Sequence, residues 1–144
     1  MNRFLLILFF LLPALAHGAE HPVCPKLPNH PAIRWDSSLE SILSNTFWLC
    51  HAKNDAGQTV LSAIATSEIG NPTYGANFRT ITTFHGRSFV WFSDRDEAGE
   101  SQNIARSYLS TGNSKFPLMM VWFKFNDPDD FNRKAGLVSL LELP

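Results

Sequence analysis

Cys50 and His51 stand side by side in "WLCHAKND", with Asp55 four residues beyond His51. A thiol, an imidazole and a carboxylate so close together are the parts of a cysteine nucleophile activated by a neighbouring base. Two features argue against that chemistry. In an extended segment adjacent side chains point to opposite faces, so His51 turns away from Cys50 and joins the Phe47 series. The chain also holds 2 cysteines in all, Cys24 and Cys50, behind a leader that reads as an export signal. In an oxidising compartment such a pair is expected to form a disulfide. By constraining the unfolded chain over that loop, the bridge would contribute about 3–4 kcal/mol.

The second group with chemical potential is acidic: Asp94, Asp96, Glu97 and Glu100 in "SDRDEAGES". Asp94-x-Asp96 followed by Gly99 matches the start of a calcium loop, but Ala98 and Ala105 stand where further oxygen ligands are needed, so a solvated loop is expected and no metal. Two carboxylates set across a cleft can hydrolyse a glycoside, although spacing along the chain does not reveal their separation. A G-x-S-x-G elbow, an H-E-x-x-H zinc motif and a glycine-rich phosphate loop are all absent, and His51 and His85 read as lone residues of a strand and a turn. No cofactor is implied.

The leader, "MNRFLLILFFLLPALAHG", has a positive Arg3, an apolar run from Phe4 to Leu12 and small residues that allow cleavage after Ala16 or Gly18. That run is shorter than the roughly 20 residues a membrane-spanning helix needs. Residues 1–18 are therefore expected to be a signal peptide, and residues 19–144 a single domain with no membrane insertion after processing. Removing the leader takes Arg3 and no acid from a total of 12 Lys and Arg against 13 Asp and Glu. That balance argues against a nucleic-acid partner, which requires a basic face. Arg79 and Arg87 read as strand-surface residues.

The elements that must position these groups follow from periodicity and punctuation. "HPVCPKLPNHPAIRW" carries four prolines at intervals of three and is expected to lie extended over the surface, pinned by the bridge. "WDSSLESILSN" predicts an N-terminal helix, with Ser37 and Glu40 as a capping box and Leu39, Ile42 and Leu43 as its stripe. "TFWLCHAK" and "TVLSAIAT" predict a hairpin turning at "NDAGQ". "SEIGNPTYGA" predicts a loop. "NFRTITTF" and "RSFVWF" predict a second hairpin turning at His85-Gly86. "QNIARSYLS" predicts a short helix, and "FPLMMVWFKF", apolar on both faces, a central strand. Asp127, Asp129, Asp130 and Pro128 open a C-terminal helix with Phe131, Ala135, Val138 and Leu141, or a shorter helix followed by a strand "LVSLLEL". Trp48, Trp91 and Trp122 are the expected core anchors.

The fold expected is α+β: a mainly antiparallel sheet of about five strands, with an N-terminal and a C-terminal helix on one face. Without a catalytic signature, the function expected is binding. The leading expectation is a periplasmic, or alternatively extracellular, inhibitor or immunity-type protein, not an enzyme, that blocks a toxin or cell-wall enzyme. Asp94, Asp96, Glu97, Glu100 and Tyr74 would meet its protein partner's cationic cleft. A carboxylate-dependent hydrolase acting on a glycan and an accessory subunit of a secreted or envelope complex are the alternatives.

Overall fold

The computed structural model describes residues 24–42, 45–66, 76–95, 101–114 and 116–144. Seven strands and a helix run in the order β1 (Arg34–Ile42), β2 (Asn45–Lys53), β3 (Thr59–Thr66), β4 (Ala76–Phe84), β5 (Arg87–Arg95), β6 (Ser101–Ser110), β7 (Leu118–Lys124) and α1 (Pro128–Ser139). All seven strands form one antiparallel sheet in the order β1-β2-β3-β7-β6-β5-β4. The last strand is thus its centre, which accounts for the two-sided apolar sequence of "LMMVWFK".

The expected α+β fold with two helices is corrected by this arrangement. The segment read as an N-terminal helix is β1, which pairs with β2 from Arg34↔Lys53 to Ile42↔Asn45. Its capping box is a local preference of about 1 kcal/mol, and a nine-residue ladder on the open edge of β2 outweighs it. "QNIARSYLS" likewise lies in β6, between β5 and β7. There Ala105, Ser107 and Leu109 face the core, and the small Ala105 and Ser107 hide a two-residue period behind the larger Ile104 and Tyr108. Both hairpins form where the sequence places them. Asn54 closes the first turn by accepting from the Gln58 backbone N–H at 2.9 Å, and His85 and Gly86 take φ of 50° and 76° in the second.

The core lies on one face of the sheet, beneath α1 and the N-terminal segment. Leu61 and Ala63 of β3, Met119, Val121 and Phe123 of β7, Ala105 and Leu109 of β6, and Phe89 and Trp91 of β5 are buried there. Asp127 caps α1 by accepting from the Asp130 backbone N–H at 2.8 Å, and Pro128 occupies the first turn. The buried stripe Phe131, Ala135 and Val138 carries the helix through Gly136 to Ser139, so "LVSLLEL" is not a strand. Burial of those three side chains outweighs a glycine penalty of about 1 kcal/mol. Trp91 is the hub: its ring lies 5.3 Å from Phe123 and 5.7 Å from Phe131, and its indole N–H donates to Thr82 Oγ1 at 2.7 Å. Trp48 and Trp122 are only partly buried, so Trp91 alone among the three expected anchors is enclosed.

The N-terminal segment is folded and not extended as expected. Pro28 and Pro31 each sit second in a turn, closed by His30 N–H to Leu27 O at 3.1 Å and Ile33 N–H to His30 O at 2.9 Å. Cys24 and Cys50 are joined by a disulfide, with Cα atoms 5.8 Å apart, and Cys50 is buried in the core. Lys26 and Glu142 exchange backbone hydrogen bonds of 2.9 and 3.0 Å, tying this segment to the tail beyond α1.

Candidate functional site

The bridge answers the question posed by "WLCHAKND". Both cysteines are consumed in it, so no thiol stands beside His51. His51 projects from the face of the sheet opposite Cys50, and none of the described helices or segments packs on that second face. On this face the register aligns a lateral row, Asp36–His51–Ser62–Trp122–Arg106–Phe92, one residue from each of six neighbouring strands. The adjoining row is Ser38–Leu49–Ile64–Met120–Tyr108. Phe92 and Tyr108 meet edge to face at 6.1 Å. Leu49, Ile64, Met120, Tyr108, Trp122 and Phe92 are all partly exposed, so the face has an apolar, aromatic centre. Beside it a shallow groove of about 240 Å³ runs between Thr59, Ser62, Trp122 and Lys124.

Asp36, His51 and Ser62 are the residue types of a serine-hydrolase triad, brought side by side on β1, β2 and β3. His51 Nδ1 lies 2.8 Å from Ser62 Oγ. The rest of a triad's geometry is missing. Asp36 accepts from Lys53 Nζ at 2.8 Å, and that hydrogen bond and the ammonium charge hold its carboxyl below the usual range. Ser62 is only 5% exposed, and its backbone lies in ladders with β2 and β7 on both sides, which leaves no pair of free N–H groups for an oxyanion. The row therefore combines hydrogen-bonding groups, two charges and a tryptophan ring on one face.

Of the expected partner-binding residues, Asp94 is the one whose backbone is described. Asp94 lies in β5, where its backbone pairs with Ala76 of β4. The chain thus enters β4 and leaves β5 at the same end. Tyr74, Asp96, Glu97 and Glu100 lie outside the described residues. Among the described residues no cluster of His, Cys, Asp and Glu could hold a metal ion, and no helix is long and apolar enough to cross a membrane.

Arg79 and Arg87 are more than the strand-surface residues expected. At a bulge in β4, the Arg79 guanidinium lies 4.4 Å from the Phe125 ring centre and 5.3 Å from that of Phe131. Arg87 donates to the Ser139 carbonyl at 3.2 Å, placing a cation at the C-terminal end of α1.

Sequence reasoning missed the second face because its residues are scattered over six strands. Period-two alternation within each strand carried part of the signal, as in Leu49-His51 and Met120-Trp122. Comparison of the chain with protein-family models, with curated proteins and with solved structures finds no match in any of the three.

Proposed function

We propose that the chain is an exported binding protein of the inhibitor or immunity type, working in the periplasm to block a toxin or cell-wall enzyme. The observation that carries this reading is the second face of the sheet, on which none of the described helices or segments packs. A cluster of Trp122, Phe92, Tyr108 and Met120 with Arg106 has the composition of an interface core, and the polar Asp36, His51, Lys53 and Lys124 border it. A fully paired sheet keeps those groups in place before the partner arrives, which lowers the ordering cost of association. The disulfide supports export to an oxidising compartment. In this reading the acidic residues Asp94, Asp96, Glu97 and Glu100, with Tyr74, steer and orient a cationic partner.

The test is capture from periplasmic extract on immobilised residues 19–144, with Trp122→Ala and a variant neutralised at Asp94, Asp96, Glu97 and Glu100 alongside. The expected result is one toxin or cell-wall enzyme retained in stoichiometric amount and inhibited by the domain. Trp122→Ala should lose it through faster dissociation, and the neutralised variant through slower, salt-insensitive association. Glycan turnover by the isolated domain, abolished by the neutralised variant, would overturn the reading in favour of a hydrolase.

A further inference from the structure

Among the described residues the sheet ends at two edges, β1 and β4, and they differ in a way that matters for self-association. An edge strand presents unpaired N–H and C=O groups, and natural sheets blunt this template with charges, prolines and bulges. β1 carries Arg34, Asp36 and Glu40 along its nine residues. β4 has a bulge between Phe78 and Thr80, and its one charged residue, Arg79, is engaged over Phe125 and Phe131. Beyond the bulge, Thr80-Ile81-Thr82-Thr83-Phe84 has no charge, no proline and four β-branched residues. Ile81 is 59% exposed, and Val90, directly opposite it on β5, is 41% exposed.

From these features we infer that β4 is a dimerisation edge, pairing antiparallel with β4 of a second copy about a two-fold axis at Ile81. In that register Ile81 meets Ile81 on the second face with Val90 behind each, and Thr80 meets Thr82 on the core side. The edge is self-complementary: it offers a charged peptide nothing to read, and a copy of itself an apolar, β-branched match. The assembly closes at two, because the joined sheet ends on the charged β1 at both sides. The contact is small, so the dimer forms and dissociates with concentration. This pairing does not depend on the partner-binding reading.

Sedimentation equilibrium on residues 19–144 tests it. The wild-type mass is expected to rise with concentration to that of a dimer. Ile81→Glu and Ile81→Lys, both at an exposed position, should each remain folded and weaken dimerisation at least tenfold. An equimolar mixture of the two should restore it, because opposite charges then face each other. Trp122→Glu should dimerise like the wild type, which separates edge pairing from stacking of the second faces. Amide exchange in β4, and not in β1, should slow as concentration rises. A wild-type chain that stays monomeric at millimolar concentration, an Ile81→Glu variant that dimerises normally, a mixture that fails to recover, or loss of the dimer in Trp122→Glu would each overturn the inference.

Discussion

His51 and Ser62 face each other across β2 and β3, with Nδ1 and Oγ 2.8 Å apart, at one end of the row that leads to Trp122. The pair looks like half of a proton relay, yet the carboxylate beside it is held by Lys53 and the backbone around Ser62 is paired on both sides. Its physical role is to give the buried Ser62 hydroxyl a hydrogen-bond partner.

That role has a measurable signature. A double-mutant cycle over His51→Ala and Ser62→Ala should return a coupling of about 1 kcal/mol in folding stability, the size of one partly buried hydrogen bond. A fluorophosphonate probe should leave Ser62 unlabelled. Labelling at Ser62 that requires His51 would mean that the hydroxyl is an activated nucleophile.

Two tryptophans on opposite faces of the sheet, Trp91 of β5 and Trp122 of β7, should behave in opposite ways. Trp91→Ala removes the enclosed hub between Phe123 and Phe131 and should cost about 3–5 kcal/mol. Trp122→Ala, on the open face, should cost about 1–2 kcal/mol while weakening partner capture tenfold or more. Denaturant titrations and binding kinetics on the same two variants check this. Equal stability losses would mean that Trp122 is a core residue.

The disulfide closes a sequence separation of 26 residues and joins the N-terminal turns to the buried position 50 on β2. Replacing both cysteines by serine, or reducing the bridge, should lower stability by about 3–4 kcal/mol. A thiol reagent should find no reactive sulfhydryl in the non-reduced protein. Two sulfhydryls per chain would remove the staple and with it the argument for an oxidising compartment.

Asp130 ties the start of α1 together. Burial would raise its carboxyl above the usual 3.8, but hydrogen bonds from Lys134, the Asn126 backbone N–H and Arg133 outweigh that and hold it lower. A depressed folded value means that the contribution is complete above the unfolded value and is lost as pH falls through the folded one. Asp130→Asn should therefore cost about 1 kcal/mol at neutral pH, and the gap from wild type should close below about pH 4. Urea midpoints measured from pH 7 to pH 2 test the sign; a gap that widens on acidification would reverse the assignment.

What could be read along the chain was whatever depended on neighbouring residues. The Asn54–Gln58 and His85-Gly86 turns, the strands they join, the two-sided β7 and the proline-initiated α1 are all local, and Cys24 and Cys50 had only each other to bond. The failures occurred where a distant partner outweighed a local preference. "DSSLES" has a capping box but folds as β1 because the edge of β2 supplies a full ladder, and β6 conceals its period because its inner Ala105 and Ser107 are small. The second face was beyond reach for the same reason. Asp36, His51, Ser62, Trp122, Arg106 and Phe92 become neighbours only when β7 inserts between β3 and β6, so the pairing of strands and not the order of residues brings the face together.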